Sequence, residues 1–538
     1  MTALNPTSVG EKSLRHADPP LATYRLQFGG DLTFANASRL VPYLDQLGVS
    51  HIYASPYVAA RPGSLHGYDV ANPNSLNPEI GSETEYRALA HELARHGMSQ
   101  VLDWVPNHMA IGYGSNAWWQ DVMEKGPSSI YAAMFDIDWS SGDATWGQTG
   151  AAGKVILPVL GDHYGRVLER GELSLAYEAG ELQLRYYAYI LPIALRSYLG
   201  LLTGVKKALE DQRPGDRKLL TALGETIALF KRISDGPARS LPGRTLRFRR
   251  TQQAKLRLRS LYQTSETFRV MLDAKLASVN GERGRPASFD SLDEILNQQW
   301  YRLAHWRVAA EEINYRRFFD INELVALRME NEEVFRATHH LFLQLLRTGA
   351  ISGVRIDHID GLRDPAGHLW RLQKTAFVEL NKYRLSEPAG GRQRSVEEAA
   401  SQLAAQFDRE RKANPHSAIL RPLWVVVEKI LSETEWLRES WPVHGTTGYE
   451  FMNQLNGIFV NRANGPAMER VYFRFIGSRP DYREVVNSAK KTVMLISFPG
   501  EINRLAARLK RVAAADRSSR DFTLNGLTFA IRELIAAL

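Results

Sequence analysis

The decapeptide GVRIDHIDGL, residues 353–362, decides the predicted fold of this chain. It begins as a short apolar run, interrupted only by Arg355, and this pattern predicts a buried strand that ends at Asp357. Polar residues at the carboxyl end of a buried parallel strand are typical of the active face of a (β/α)8 barrel. Because strand side chains alternate, Arg355 and Asp357 share one face, where the cation is expected to keep the carboxylate ionised. Asp357 is therefore a candidate nucleophile.

Strand and helix patterns alternate on both sides of this decapeptide. Further strands are predicted at 22–28, 49–57, 100–105, 423–430 and 444–451. Helical periodicity separates the first three strands, and a helix is predicted at 331–349, directly before the decapeptide. Short connections of this kind indicate parallel strands with right-handed crossovers. The predicted fold class is α/β, an incomplete (β/α)8 TIM-type barrel of about six strands with a large mixed and helical insertion after the third strand.

The predicted organisation has six segments. They are a disordered leader at 1–20, barrel strands 1–3 at 21–110, an inserted subdomain at 111–193, a helical insertion at 194–330, barrel strands 4–6 at 331–452 and a helical segment at 453–538. Within the last segment only 492–498 has a strand-like pattern. We expect the chain to end before barrel strands 7 and 8.

Composition excludes several classes of protein. The 538 residues contain 67 Lys and Arg against 59 Asp and Glu, a modest net charge of +8, and we find no nucleic-acid-binding module. Cysteine is absent, so disulfides, thiolate metal sites and a catalytic thiol are excluded. No apolar run is long enough to span a bilayer, and the N-terminus lacks the apolar core of a signal peptide. These features favour a cytoplasmic protein.

Polar residues follow several of the predicted strands. They are His66, Tyr68 and Asp69 after the second strand, Asp103 and His108 at the end of the third, Arg355, Asp357 and His358 at the fourth, and Glu428 at the fifth. A pair of carboxyl groups suits glycosidic bond cleavage with retention, in which one attacks the sugar and the other protonates the leaving oxygen. Glu428 follows three valines, and such apolar surroundings raise a carboxyl pKa, so it suits the second role. We expect the carboxyl groups of Asp357 and Glu428 to be roughly 5–5.5 Å apart.

Other roles are open for each of these residues. Asp357 could form a structural ion pair with Arg355, and Glu428 could pair with Lys429 or another neighbour. Asp103 could be a cap, while His108 and Tyr68 could be packing residues. Two histidines and the carboxylates could also hold a metal in an amidohydrolase-type site. However, such barrels carry a His-x-His pair after the first strand, which is missing from this sequence, so we expect no metal.

Three short motifs resemble signature regions of the α-amylase superfamily (glycoside hydrolase family 13) in order and spacing: DWVPNH at 103–108, GVRIDHIDGL at 353–362 and VVVEKI at 425–430. Longer segments are similar to one branch of it, the maltooligosyl trehalose synthases. These segments lie at 55–73, 118–139, 313–328 and 444–451. Together with ATYRLQF at 22–28, they extend the resemblance over nearly the whole chain.

The resemblance implies an isomerase, a (1→4)-α-D-glucan 1-α-D-glucosylmutase, that converts the reducing-end α-1,4 linkage of a maltooligosaccharide to α-1,1. It implies that Asp357 is the nucleophile and Glu428 the general acid/base. The implied substrate-binding residues are Tyr68, His66, Asp103, His108, Arg355, His358, Trp118 and Trp119. The resemblance implies no cofactor. The implied partners are a maltooligosaccharide substrate and, functionally, maltooligosyltrehalose trehalohydrolase.

One signature of the superfamily, a His-Asp pair after the seventh strand, is not found in this sequence. The last histidine is His444, and none of the aspartates after it, Asp481, Asp516 and Asp521, has a histidine beside it. We therefore expect little activity from this chain alone, and an open site with Asp357 and Glu428 partly exposed. Two other functions stay open: another α-glucan hydrolase or 4-α-glucanotransferase of the superfamily, and a non-catalytic glucan-binding fragment.

Overall fold

The computed structural model describes residues 19–139, 153–178, 180–234, 241–386, 395–432 and 434–538. Nearly all of the predicted leader lies outside these residues. The chain forms two compact units, one made of Met1–Ala110 with Ala326–Gly465 and the other of Ile111–Val325 with Pro466–Leu538. No described helix is both long and apolar enough to cross a membrane.

A six-stranded sheet forms the centre of the first unit, and its strands lie side by side in chain order. They are β1 (Thr23–Leu26), β2 (His51–Ala54), β3 (Ser99–Trp104), β4 (Gly353–Ile356), β5 (Trp424–Val427) and β6 (Gly445–Thr446). Every neighbouring pair is parallel. The prediction of an incomplete (β/α) barrel with about six strands is therefore confirmed, and β1 and β6 are its two edge strands.

Helices follow most of these strands. The first unit contains Phe34–Gln46, Glu83–Arg95, Glu332–Thr338, His340–Arg347, Pro365–Ser386, Val396–Ala413 and Tyr449–Gly457. It also contains the antiparallel pair Val58–Ala60 and Val70–Leu76 and the short strand His108–Ala110. The helix at Glu83–Arg95 begins where a capping box predicts it, because Ser82 and Glu85 each accept a hydrogen bond from the other's backbone N–H. The helix predicted at 331–349 is two helices that meet at His339.

Strand alternation separates the core of the first unit from its site. Ile52, Leu102, Val354, Ile356 and Val425 are almost wholly buried. The residues between them, such as Tyr53, Asp103 and Arg355, must then point to the opposite face of the sheet. In a closed barrel this opposite face is the interior, so polar side chains there converge near the carboxyl ends of the strands.

The second unit contains smaller sheets and many helices. Its strands are Val155–Leu160, which pairs with Tyr301–His305, the antiparallel trio Leu173–Glu178, Glu181–Tyr186 and Tyr189–Pro192, and the hairpin Arg317–Phe318 with Ile321–Ala326. Its longer helices are Ala117–Lys125, Leu195–Gln212, Arg217–Ser234, Leu241–Thr264, Glu266–Val279, Asp290–Asn297, Gly465–Ile476, Tyr482–Ile496, Pro499–Ala514 and Leu524–Ala537, and its shorter ones are Tyr164–Glu169 and Ala309–Glu312.

The strand-like pattern at 492–498 gave a wrong prediction. These residues belong mainly to the helix Tyr482–Ile496. Asp481 caps this helix, because its carboxylate accepts the backbone N–H groups of Arg483 and Glu484. A helix that is capped eleven residues upstream continues through a short β-branched run, since local β propensity is a weak preference.

Candidate active site

Strand register brings the predicted site residues to one face of the sheet. Arg355 on β4 is the register partner of Asp103 on β3 and of Val426 on β5. Asp357 lies two residues beyond Arg355, and Glu428 lies two residues beyond Val426. Because side chains alternate, the side chains of all these residues lie on the same face of the sheet, and all of them except Val426 are polar. The polar groups come together at the carboxyl ends of three adjacent strands.

Arg355 is shared by the carboxylates of all three strands. Its Nη1 lies 2.7 Å from Asp103 Oδ1 and 2.6 Å from Asp357 Oδ1. Its Nη2 lies 3.2 Å from Glu428 Oε1. Burial by itself would lower the pKa of Arg355, but the negative charge of Asp103, Asp357 and Glu428 raises that pKa above its ordinary value. The guanidinium is therefore a permanent cation in the middle of the site.

Asp357 has a perturbed pKa. Burial is the main cause, Arg355 opposes it, and the charges of Asp103 and Glu428 add to it, with the result that the pKa of Asp357 is raised to about 7. The prediction that Arg355 keeps this carboxylate fully ionised at neutral pH is therefore wrong. The expectation of partial exposure is also wrong for Asp357, whose side chain is only 8% exposed. Near neutral pH this carboxyl group is populated in both protonation states.

Glu428 is the more accessible of the two candidate carboxyl groups, with 27% of its side chain exposed. Its Oε2 accepts the backbone N–H of His358 at 2.9 Å. His358 has a left-handed backbone (φ 46°, ψ 51°), which turns the chain sharply at the end of β4. The carboxyl group of Glu428 thus contacts a cation and an N–H group. The prediction of apolar surroundings is therefore wrong for this carboxyl group.

Lys429 does not pair with Glu428 in the way that one alternative proposed. Its Nζ lies 3.2 Å from Asp360 Oδ2 and 2.7 Å from Glu435 Oε1. This lysine therefore joins the loop after β4 to the loop after β5, and Glu428 is left facing Arg355.

Asp103 is a hydrogen-bond acceptor with four partners and a fully buried side chain. Its Oδ1 binds Arg355, while its Oδ2 accepts Tyr68 Oη–H at 2.6 Å and Tyr53 Oη–H at 3.2 Å. Arg25 Nη1 lies 3.5 Å from the same oxygen. Burial, followed by the charge of Asp103, raises the pKa of both tyrosines, so both remain neutral donors. Asp103 therefore positions residues of the site rather than capping an element.

Two further residues of the site, Arg25 and Tyr53, were not predicted from the sequence. They are register partners on β1 and β2, and the guanidinium of Arg25 lies 4.7 Å from the centre of the Tyr53 ring. The available signal was strand alternation, since Tyr53 lies between the buried residues Ile52 and Ala54, and Arg25 precedes the buried Leu26. It could not be used without the register of β1 against β2, which depends on residues far apart in the chain.

Tyr68 and His66 lie together on the loop after β2. Their rings stack with centroids 5.9 Å apart, and the guanidinium of Arg355 lies 5.9 Å from the centre of the Tyr68 ring. Gly67 between them has φ +78°, and a Cβ there would lie 2.4 Å from the Pro56 carbonyl oxygen. Only glycine fits this position, so Gly67 determines where Tyr68 points.

Three other predicted residues have packing partners of their own. His108 is buried, with Nδ1 3.3 Å from Asn107 Nδ2. Trp118 and Trp119 belong to the second unit, where Trp118 stacks on Tyr131 with centroids 5.4 Å apart and Trp119 packs edge-on against Phe135. Trp119 is buried, as expected for the core-facing side of a helix. Substrate binding by these three residues stays a prediction.

In the first unit, two carboxyl groups of unequal exposure, those of Asp357 and Glu428, thus contact the same cation. A third carboxylate, that of Asp103, contacts this cation as well. Asp357 is buried with a pKa near neutrality, and Glu428 is reachable from solvent. This pairing can support nucleophilic attack by one group and proton transfer by the other. Among the described residues, no three His, Asp or Glu side chains come together in a way that could hold a metal ion.

Part of the chain is similar to α-amylases. Residues 27–146 match the model of the alpha amylase catalytic domain. An intracellular maltogenic amylase of Bacillus subtilis is 39% identical over 110 residues, which is 20% of this chain and 18% of the relative. The parallel sheet and the carboxylates at its strand ends agree with that class.

The longer matches are to one branch of that class. A Mycobacterium tuberculosis protein described as "Putative maltooligosyl trehalose synthase" is 29% identical over 511 residues, covering 93% of this chain and 46% of that protein. The solved maltooligosyltrehalose synthase from Arthrobacter ramosus has a TM-score of 0.62 and 26% identity, over 96% of this chain and 48% of its own. The chain is therefore similar along nearly its whole length to maltooligosyl trehalose synthases, and it spans about half the length of these relatives.

Proposed function

We propose that Asp357 and Glu428 are the nucleophile and the general acid/base of a retaining α-glucan active site. The observation that carries this proposal is the sharing of one guanidinium, that of Arg355, by the carboxylates of β3, β4 and β5. The similarity to maltooligosyl trehalose synthases supports a specific reaction, the conversion of the reducing-end α-1,4 linkage of a maltooligosaccharide to α-1,1.

In the first step Asp357 attacks C1 of the sugar that precedes the reducing-end glucose. The bond from C1 to the glycosidic oxygen breaks, and Glu428 gives its proton to that oxygen. The products are a glycosyl ester on Asp357 and a glucose molecule. Arg355 holds Asp357 in place and compensates the carboxylate charges around it.

In the second step the retained glucose turns and offers its C1 hydroxyl to the ester. Glu428 takes the hydroxyl proton, the new α-1,1 bond forms, and the bond from C1 to Asp357 breaks. A glucose held at the site has a high effective concentration, so it competes well with water. We assign sugar contacts to Tyr68 and His66 at the rim, and to Asp103, His108, His358, Trp118 and Trp119 by similarity.

The wider setting follows from this reaction. A maltooligosyltrehalose trehalohydrolase would consume the product, and it is proposed as a functional partner. A cytoplasmic location remains a prediction from composition.

The test is incubation of the 538-residue chain with maltopentaose. Loss of reducing ends without shorter sugars supports the proposed isomerase. Shorter reducing sugars would instead favour another α-glucan hydrolase or 4-α-glucanotransferase. Because we expect little activity from the chain alone, only binding that stays without turnover after a C-terminal fragment of a relative is added would favour a glucan-binding fragment.

Variants separate the two carboxyl roles. Asp357→Asn and Glu428→Gln should each lower turnover by about 10³-fold or more. With an activated maltosyl fluoride, Glu428→Gln should accumulate a glycosyl ester that peptide mapping locates on Asp357. Asp408→Asn is the matched control, because Asp408 pairs with Lys374 on an exposed surface. An ester on another residue would contradict the assignment.

A further inference from the structure

A cavity of about 560 Å³ lies in the second unit. Its lining residues with polar or aromatic side chains are Lys154, Arg196, Asn297, Gln298, Gln299 and Trp300. Two paired parallel strands begin beside it, because Val155–Leu160 follows Lys154 and Tyr301–His305 follows Trp300. We call it the Lys154 cavity. None of its lining residues has a role in the proposed reaction.

A buried amide side chain fixes the backbone beside each of the two cations of the cavity. Asn314 donates from Nδ2 to the Lys154 carbonyl oxygen at 2.8 Å. Gln299 accepts the Ala194 N–H through Oε1 at 2.6 Å, at the N-cap of the helix that carries Arg196. Both amides are at most 1% exposed. Because these hydrogen bonds are shielded from water, they hold the two cationic residues firmly in place.

Both cations have hydrogen-bond donors that the protein does not use. Lys154 Nζ donates to the Asn297 carbonyl oxygen at 2.7 Å, and Arg196 Nε donates to the Gln298 carbonyl oxygen. The guanidinium of Arg196 also lies 4.8 Å from the centre of the Trp300 ring, which restricts its orientation. An ammonium carries three N–H groups and a guanidinium five, so both side chains keep N–H groups for a ligand.

The positive charge in the Lys154 cavity lacks a counter-charge. Among the described residues, no carboxylate forms an ion pair with Lys154 or Arg196. A third cation, Arg302, pairs with Glu312. Burial, followed by repulsion from Arg196 and Arg302, lowers the pKa of Lys154, and burial lowers the pKa of Arg196. A bound oxyanion would remove this repulsion and accept the unused N–H groups.

We propose that the Lys154 cavity binds a phosphate monoester of a sugar-sized molecule. The phosphate oxygens accept hydrogen bonds from Lys154 and Arg196, two residue types that proteins use for phosphate. A cavity of about 560 Å³ exceeds the needs of a lone phosphate and is in the range of small-molecule pockets. Asn297 Nδ2 already donates to Asp293 Oδ2 at 3.0 Å, so Gln298 supplies the amide for the sugar hydroxyls. This inference goes beyond the proposed reaction.

The experiment uses glucose 6-phosphate as the probe, with glucose and inorganic phosphate for comparison. The 538-residue chain is labelled with 5-fluorotryptophan, and the fluorine resonance that is missing from Trp300→Phe is assigned to Trp300. Glucose 6-phosphate should shift this resonance with a dissociation constant of about 1 mM or lower. Glucose should leave it unchanged, and inorganic phosphate should bind more weakly. Added NaCl should weaken binding of the probe, because salt screens the charges.

Two substitutions test the cations. Lys154→Gln and Arg196→Gln should each weaken binding of glucose 6-phosphate by about tenfold or more, because each removes charged donors from the phosphate. Thermal unfolding checks that each variant folds, and Arg196 is exposed enough to be replaced without loss of the core.

Lys207→Gln is the matched control. Lys207 is exposed and lies on the same helix as Arg196, eleven residues later. At 1.5 Å per residue this is about 16 Å, beyond the ~10 Å over which charges interact in 0.1 M salt. The control removes the same charge and should change the affinity by less than about twofold.

Several outcomes would overturn the proposal. They are an unshifted Trp300 resonance at about 10 mM glucose 6-phosphate, an affinity that neither Lys154→Gln nor Arg196→Gln lowers, and an equal shift with glucose. Inorganic phosphate that binds as tightly as glucose 6-phosphate would overturn the assignment of a monoester. An Asp357→Asn chain should bind the probe as tightly as the unmodified one, so the result does not depend on the proposed reaction.

Discussion

At the scale of single residues, the site is dominated by one buried cation among three carboxylates. The ionised form of each carboxylate is stabilised by the charge of Arg355 and destabilised by the charges of the other two carboxylates. For Asp357 the burial and the repulsion outweigh the attraction, and its pKa rises to about 7. A nucleophile in this position becomes reactive as the pH rises through neutrality, because attack requires the ionised form.

The first prediction concerns stability. An unfolded aspartate titrates near pH 3.9, so between about pH 4 and pH 7 the unfolded state ionises while folded Asp357 stays protonated. The free energy of unfolding should therefore fall as pH rises through this window. Asp357→Asn removes the penalty and should stabilise the chain at pH 8 by ~1–4 kcal/mol, with a smaller effect at pH 5. Urea unfolding at the two pH values measures this, and equal effects at both would contradict it.

The second prediction concerns the cause of the raised pKa. Asp103→Asn removes one of the negative charges that raise the pKa of Asp357, so that pKa should fall. Carbon-13 NMR of labelled aspartate carboxyls, with Asp357→Asn for assignment, measures the titration directly. Tyr53→Phe is the control, because it removes one hydrogen bond to Asp103 and keeps the charge. An unchanged titration of Asp357 in Asp103→Asn would show that the charge of Asp103 does not contribute to the raised pKa.

At the scale of elements, the local sequence pattern was enough to predict the strands, but not the contacts between them. Alternation and chain order were enough to predict six parallel strands and to place Asp103, Asp357 and Glu428 at their ends. They could not reveal Arg25 and Tyr53, whose roles depend on register between strands. The burial of Asp357 depends on the same long-range packing, so its protonation was predicted wrongly.

The third prediction concerns the loop that carries Tyr68. Gly67→Ala places a Cβ against the Pro56 carbonyl oxygen in a left-handed backbone. The substitution should lower the free energy of unfolding by about 3 kcal/mol and weaken the hydrogen bond from Tyr68 to Asp103. Gly30→Ala is a matched control, because φ is +56° there and nothing lies within 4 Å of the added Cβ. We expect it to cost only about 1–2 kcal/mol. Chemical unfolding compares the two, and equal costs would contradict the steric explanation.

At the scale of the whole molecule, the second unit joins segments that are far apart in the chain. The side chain of Arg317, at the hairpin of this unit, is almost fully buried, and its Nη2 lies 3.0 Å from Glu501 Oε1 on the helix Pro499–Ala514. The same guanidinium contacts Asn322 Oδ1 at 2.9 Å. This ion pair fixes a helix near the end of the chain to a hairpin 184 residues earlier.

The fourth prediction tests that connection. Arg317→Leu leaves the carboxylate of Glu501 without its main partner and should cost about 3 kcal/mol. Hydrogen exchange at 499–514 should accelerate accordingly. Arg336→Leu removes an exposed pair with Glu332 and should cost only about 0.5 kcal/mol. Unchanged exchange at 499–514 in Arg317→Leu would show that apolar packing, rather than this ion pair, holds the helix.

The shared guanidinium of Arg355 also restricts how this sequence can evolve. Because Asp103, Asp357 and Glu428 all use the same cation, the effect of replacing one of them depends on whether the others are present, so double-mutant cycles among them should be strongly non-additive. Loss of Arg355 should harm a chain with all three acids most, and should be better tolerated once one acid has been neutralised. The order in which substitutions arise therefore matters at this site. Through Arg355, the effect of a substitution on one of three strands depends on earlier substitutions on the other two.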